Sequence, residues 1–520
     1  MSGNEDWSCD ANKAVTIEFL QRGQDAPKRL TRFHPQFTYP LFGDAQTIFG
    51  YQGLNVVLRF ACDDLRPNAQ ISWEKRFSPV GETSAVDVEA ILKKWMSEGA
   101  FEKSTVFEKQ IQNTSAEATF KPCGELVNSY SIGEKQFEVW RGQLTSPDVR
   151  AMLDRLQIFI PLFIEGGTYV NLDDPEWSLQ RWTVYFLYER RSVPSTNPYV
   201  LLGYSTVYAY YLHLSPNSTT YAYSLPLSPE PSQETKSLKD KDFKFPATAP
   251  STYPHRSRIS QFLILPPFQH QGHGSRFYSS LVSDFLKDAS CVEITVEDPN
   301  EAFDDLRDYC DLTRLRTGEA AQTFSSLHID TDASIPRKGP LPTSSLLPKA
   351  TLSELRKVSK IAPRQFDRLV EMQLLSRIPR HILKTVQRDH PILPGVGGSK
   401  ASTSKEADAV AQKQYSAWRL IAKHRLYKFN RDKLAQVELP ERIKHLEEVT
   451  DGVEADYLRL LSSLEDSSTA SSSGARVVPE EGASSLIANG GSSAKRAFTA
   501  EDVMEDLISG TQSPAKRPKT

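Results

Sequence analysis

The chain is 520 residues long, 39% hydrophobic and 24% charged, with apolar material for roughly two to four domains but little for a chain that is globular throughout. Lys and Arg total 62 against 65 Asp and Glu, so the formal charge of −3 gives no global positive excess of the kind that marks a nucleic-acid binder. The five cysteines form no CxxC pair, the start is polar and acidic, and no apolar run is long enough for a membrane helix. These features argue against a disulfide scaffold and a cysteine-rich zinc site, and predict a soluble intracellular protein with no secretory signal and no helical span.

Residues 1–134 read as a small α+β module. Leu54, Val56, Leu58 and Phe60 form one strand face, Gly43 and Gly50 punctuate turns, and Val88, Ile91, Leu92 and Trp95 line a short helix. A second block spans 135–320. Pro147 to Phe159 is a predicted helix capped by Ser146, followed by aromatic and β-branched strands at Trp182–Leu187 and Tyr199–Tyr211. The Pro-, Ser- and Lys-rich stretch 214–256 is a predicted insertion. Arg258 then opens a near-continuous apolar strand, a glycine-rich turn follows, and Phe277, Leu281, Val282 and Phe285 share a helical face. Val292, Ile294 and Val296 alternate with polar residues, which completes a βαβ-like unit.

Residues 321–465 read as a linker and a helical domain, with a Pro-Gly-Ser-rich break at about 391–404. Phe366, Leu369, Val370 and Leu374 share a face, Tyr415 to Ala435 is a strongly basic helix, and Pro440 opens another. Residues 466–520 are predicted to be a disordered tail that ends in a basic cluster, Lys516-Arg517-Pro518-Lys519.

The most informative stretch is Gln269-His270-Gln271-Gly272-His273-Gly274-Ser275, which follows a strand and opens a helix. Its glycines permit close backbone approach, and the helix start offers unpaired N–H groups to phosphate oxygens. It has neither the third glycine of a dinucleotide fingerprint nor the Gly-Lys-Ser/Thr of a P-loop, and a tight turn into a packed helix is the plain alternative. Gln269-x-x-Gly272-x-Gly274 resembles the acetyl-coenzyme A loop of the GNAT acetyltransferase superfamily. The run 261–274, with 41–53, Phe163-Ile164-Glu165 and 295–299, is similar to one branch, the type B histone acetyltransferase catalytic subunits.

The resemblance implies an α+β fold: a GNAT-like mixed sheet with its acetyl-CoA loop, preceded by the small module and followed by the helical domain. It implies acetyl-CoA as co-substrate, with no metal, held by Phe262, Leu263 and Ile264 main chain and by Gln269 to Ser275. Amides of the 262–264 strand would polarise the thioester carbonyl.

Acyl transfer to lysine needs a neutral amine, whereas free lysine has a pKa of about 10.4. A placed carboxylate can take the proton. Glu297, at the carboxyl end of the alternating strand, ranks first. Glu165 ends an apolar run and is expected to be partly desolvated. Asp298 ranks last, because Asp298-Pro299-Asn300-Glu301 reads equally as a capping box. The resemblance implies that all three form the base group and that transfer is direct. Cys291 as a nucleophile is the weaker alternative, since no histidine neighbours it in sequence.

On the acceptor side, Asp173, Asp174, Glu176 and Trp177 on a predicted loop, with Tyr208 and Tyr210, suit a flexible basic peptide. The resemblance implies that Trp177, Tyr208, Tyr210 and Asp44 meet that peptide. It further implies the amino-terminal tail of free, newly made histone H-four as substrate, presented with its histone pairing partner. A WD-repeat histone chaperone subunit is the implied partner, and no membrane is involved. The basic tail cluster predicts a protein of both cytoplasm and nucleus. Two competing readings are a general protein or small-amine N-acetyltransferase and a non-enzymatic chromatin or nucleic-acid module built on the basic helix. A solvated helix face is preferred to the latter.

Overall fold

The computed structural model describes residues 7–23, 26–112, 120–191, 198–212, 254–333, 341–384 and 405–472. The chain divides into two compact units, Met1–Gln269 with Ser279–Asp298 and His270–Tyr278 with Pro299–Thr520. Most of the predicted insertion at 214–256, the break at 391–404 and the tail beyond 472 lie outside the described residues.

In the first unit, strands β1 (Val15–Gln21), β2 (Lys28–Phe33), β3 (Asn55–Ala61) and β4 (Pro67–Ser72) form a sheet of order β2-β1-β3-β4. The predicted face Leu54, Val56, Leu58, Phe60 is buried. Phe19 and Phe60 pack on Phe159 at 6.3 and 5.0 Å between ring centroids, each buried ring contributing roughly 1.5–3 kcal/mol. The predicted helix from Val88 to Trp95 is regular only over Val88–Leu92, where the Asp87 side chain accepts from the Ala90 N–H.

The larger sheet has six strands: β5 (Glu125–Ile132), β6 (Lys135–Gln143), β7 (Trp182–Arg190), β8 (Tyr199–Tyr211), β9 (His255–Ile264) and β10 (Cys291–Val296), in the order β10-β9-β8-β7-β6-β5. Neighbours are antiparallel except β9 and β10, which are parallel. A parallel pair needs a crossover, supplied here by helix α2 (His273–Lys287). The expected βαβ-like unit and the α+β class are both borne out. Helix α1 (Pro147–Leu156) has proline in its first turn as expected, but Ser146 makes no side-chain cap bond, and its last predicted turn is a separate 3-10 turn at Gln157–Phe159.

The second unit is built on α3 (Glu301–Thr317), α4 (Pro363–Leu375), α5 (Lys405–Phe429) and α6 (Leu439–Ser472). Phe366, Leu369, Val370 and Leu374 lie in one core with Trp418, Leu426 and Tyr457. The basic helix begins ten residues earlier than its sequence pattern predicts and ends at Phe429, and α6 carries regular structure to Ser472, past the expected tail start at 466. Among the described residues no helix is long and apolar enough to cross a membrane.

Candidate active site

The first unit positions the carboxylate from one irregularity. The β8–β9 pairing slips between Thr206 and Val207, so that Gln261 faces Thr206, Ile259 faces Val207, and Ser260 is the extra residue of a bulge. On the other side of β9 the parallel ladder to β10 ends at Ile259–Val296, and one further bond follows from the Glu297 N–H to the Ile259 carbonyl at 2.9 Å. Ser260 to Ile264 therefore lies beyond the β10 ladder, while Gln261 to Ile264 stays paired with β8. Glu297 sits at this parting. Its Oε2 accepts from Ser260 Oγ at 2.6 Å, and its Oε1 lies 3.2 Å from Arg258 Nη2. Each carboxylate oxygen has a second lone pair, which leaves room for a proton.

Tyr208 is directly opposite Arg258 on one side and Trp182 on the other. In a sheet such partners share a face, so a row Trp182–Tyr208–Arg258 leads to Glu297. The Trp182 and Tyr208 rings are 4.9 Å apart.

Glu165 is exposed and among the described residues has no hydrogen-bond or ion-pair partner, so it lacks the expected burial: the apolar run ends one residue earlier, in partly buried Ile164. Its loop is nevertheless tied to β9, because Gln261 Nε2 donates to the Thr168 carbonyl at 2.8 Å. Asp298 is exposed with φ of +35°, and the cap of α3 is Asn300, whose side chain accepts from the Phe303 N–H at 2.9 Å. The capping box read from sequence is thus shifted by two residues, and Asp298 is not occupied by it. Asp44 is exposed in its turn. Trp177 stands on a short helix, Glu176–Leu179, rather than on a loop; it is 52% exposed and Tyr210 53%. Asp174 is engaged by Ser178 Oγ at 3.0 Å and Asn171 Nδ2 at 2.7 Å, leaving Asp173 and Glu176 as the exposed acids. Cys291 is buried, with Ser257 Oγ 3.2 Å from its sulfur, and fits a packing role.

At the loop, Gln269 Nε2 donates to the Ile264 carbonyl at 2.7 Å. Within the second unit, His270 and Gly272 both have positive φ, +58° and +74°. Ser275 Oγ and Arg276 Nη1 donate to the Gly272 carbonyl at 3.2 and 2.9 Å, which fixes the entry to α2. His273 is buried in the first turn, a place for orienting the loop. Gly274 is informative: a Cβ there would meet nothing nearer than Leu306 at 3.6 Å, and its φ is not positive. Neither local packing nor backbone conformation requires glycine, whereas phosphate approach to the first-turn amides does. Acetyl-CoA fits these residues on that ground. Among the described residues no group of three His, Cys, Asp or Glu is gathered to hold a metal.

In the second unit three basic residues of α5, Arg419, Lys423 and Arg425, turn inward. Arg425 makes two bonds to Glu371, 2.8 and 2.9 Å, and Arg419 reaches Glu447, Asp451 and Glu454. Lys423 also pairs with Glu447. The preferred reading of a solvated face is corrected for these residues: their charges are matched inside the helical unit.

Ser260, Arg258, Trp182 and Arg181 were not singled out by sequence reasoning. The available signal was Ser260-Gln261 inside an otherwise apolar strand, where polar residues need partners.

An acetyltransferase is the class that this sheet, carboxylate and loop define, and comparison with known proteins gives the family. The profile described as "Histone acetyl transferase HAT1 N-terminus" matches residues 7–165, and "Fungal HAT1, C-terminal" matches 336–378. The chain is 38% identical to the histone acetyltransferase type B catalytic subunit of Aspergillus oryzae over 100% of both chains. It is 40% identical to that of Aspergillus fumigatus, over 99% of this chain and 88% of the relative. The protein of the same name from Cryptococcus neoformans is 30% identical, over 88% and 98%. The chain belongs to the family of histone acetyltransferase type B catalytic subunits, and it is an acetyltransferase enzyme.

Proposed function

We propose that the chain acetylates the side-chain amine of a lysine near the amino terminus of free, newly made histone H-four, with Glu297 as the principal general base and Glu165 and Asp298 as neighbouring carboxylates. The observation that carries this is Glu297 itself, held by Ser260 and Arg258 where the β9–β10 ladder stops.

Acetyl-CoA supplies the activated acyl group when bound. Main chain of Phe262, Leu263 and Ile264 and the residues from Gln269 to Ser275 would hold it, the first-turn amides of α2 facing its phosphates. Glu297 accepts the proton from lysine Nζ, which frees the nitrogen lone pair for attack. Trp177, Tyr208 and Tyr210, with Asp173 and Glu176 nearby in sequence and Asp44 on its own turn, receive the basic peptide. Its charge is steered by acids, and its uncharged portions lie along the rings. Acetylation of histone tail peptides by the recombinant chain, mapped by mass spectrometry, tests the reading. Product from small amines but from no histone peptide would overturn it.

The family name, a catalytic subunit, supports a companion subunit. We take this to be a WD-repeat histone chaperone that binds near 41–53 and adds histone contacts, the histone arriving with its pairing partner. Two separate species in size exclusion at micromolar concentration would refute this. The basic clusters Lys495-Arg496 and Lys516-Arg517-Pro518-Lys519 support residence in both cytoplasm and nucleus, and deletion of 495–520 is expected to shift a fluorescent fusion toward the cytoplasm. The inward pairing of Arg419, Lys423 and Arg425 argues against the nucleic-acid reading.

A further inference from the structure

The aromatic cluster expected to receive a cationic stem already contains a cation. The Arg181 guanidinium carbon lies 5.2 Å from the Trp177 ring centroid and 5.3 Å from that of Tyr211, and Nη1 donates to Tyr208 Oη at 3.2 Å. The backbone fixes the residue as well: its N–H donates to the Ser178 carbonyl at 3.0 Å, and its own carbonyl accepts from Ala209 at 2.8 Å. Among the described residues Arg181 has no ion-pair partner, and its Nε is buried without a hydrogen bond. Asp174, seven residues before it, is engaged by Asn171 and Ser178. A charge with no ion-pair partner among the described residues thus stands beside Tyr208, the middle member of the row that leads to Glu297.

We propose that Arg181 is a specificity-determining residue that excludes Lys and Arg from the subsite formed by Trp177, Tyr208 and Tyr211, so that the acceptor peptide presents a neutral residue there. The inference rests on the reading of this surface as the acceptor groove. Its physics is twofold. One face of Trp177 and one of Tyr211 already carry the guanidinium, so a second cation on those faces gains no cation–π attraction. A like charge about 6 Å away at an effective dielectric between 20 and 80 is repelled enough to lower its binding roughly three- to a hundredfold.

The test uses the full chain, acetyl-CoA and acceptor peptides in which one target lysine is kept and a second residue, Lys or Gln, is moved through the flanking positions. The readout is the ratio of kcat/KM for the Gln peptide over the Lys peptide at each position. Wild type is expected to show a ratio of about ten at one position, shrinking as salt is added. Arg181→Gln, which keeps a donor for Tyr208, is expected to bring that ratio close to one, while Arg181→Lys retains it. A wild-type ratio near one at every position, or a ratio that persists in Arg181→Gln, overturns the proposal. Equal loss on every peptide leaves the ratio unchanged and shows a packing role, which also overturns it. A wild-type enzyme inactive on all lysine peptides is a different result: it removes the proposed function itself.

Discussion

Glu297→Gln separates chemistry from architecture, because its surroundings accept an amide. Gln keeps the length of Glu, and one of its two orientations satisfies both neighbours, with the amide oxygen toward Arg258 and the amide nitrogen donating to Ser260 Oγ. What the fold loses is an ion pair whose side chains are 39% and 41% exposed, worth about 1 kcal/mol or less. What the reaction loses is its proton acceptor, roughly 10²–10⁴-fold in turnover, or ~3–5 kcal/mol of barrier. The thermal midpoint and acetyl-CoA affinity should stay near wild type while kcat falls. The deficit should shrink as pH rises toward about 10, where more of the lysine is already neutral. The assay is a pH–rate profile of both enzymes on one histone peptide, with a linear pre-steady-state phase confirming that chemistry limits the rate. Full turnover in the variant with an unchanged acid limb refutes Glu297 as base. The search would then pass to Asp298, which the Asn300 cap leaves unengaged.

Three further outcomes follow from the same geometry. Gly274→Ala meets no protein atom closer than 3.6 Å and gains helix propensity, so the melting temperature should hold or rise while acetyl-CoA affinity in calorimetry falls on the order of tenfold; unchanged affinity removes this loop from the cofactor site. Glu371→Gln takes from buried Arg425 the carboxylate that makes two hydrogen bonds to it and should cost about 3–5 kcal/mol, read as faster hydrogen exchange over Pro363–Leu375. Burial first, then the Asp64 charge, pushes the Asp63 carboxyl above its ordinary value against the pull of Arg22. Between the unfolded and folded values the native chain then binds more protons, so this group adds stability as pH falls through that window and loses it as pH rises. Wild type should accordingly gain on Asp63→Asn in denaturant melts taken from about pH 7 down to about pH 4.

The elements legible in the sequence are those whose periodicity is set by burial. The Phe277–Leu281–Val282–Phe285 face, the Phe366–Leu369–Val370–Leu374 face and the Leu54–Phe60 strand are all buried as their spacing predicts. Readings failed where side chains satisfy one another across long sequence separations. Glu293, expected on a polar strand face, is buried against Arg256 at 3.0 Å. Arg419 and Arg425 look like a solvent-facing basic stripe until Glu454 and Glu371 are brought up 35 and 54 residues away in sequence. Local capping signals were also ambiguous: Ser146 and Asp298 have the right side chains, yet Ser146 makes no cap bond and Asn300 takes the role assigned to Asp298.

The candidate site itself was legible as a list of residues but not as a geometry, and the reason is the bulge. Alternation assigns every side chain of β9 to a face by counting in twos, and one extra residue at Ser260 resets the count. Arg258 and Ser260 therefore meet the same carboxylate from two sides of an irregularity that no periodic reading contains. The parallel ladder ends there too. Past Ile259 the strand pairs, among the described residues, with β8 alone, and the Ile264 carbonyl takes a hydrogen bond from the Gln269 side chain. A regular sheet would use the main-chain groups of Ser260 to Ile264 on β10 and place nothing beside them. Beyond the ladder no strand among the described residues pairs with this edge, and the residue that follows the ladder on β10's side is Glu297. In the proposed mechanism the strand that lies along the thioester and the carboxylate that takes the proton are thus products of one break in pairing. Restoring regular register by deleting Ser260 should therefore abolish turnover and weaken acetyl-CoA binding together, whereas Glu297→Gln separates the two.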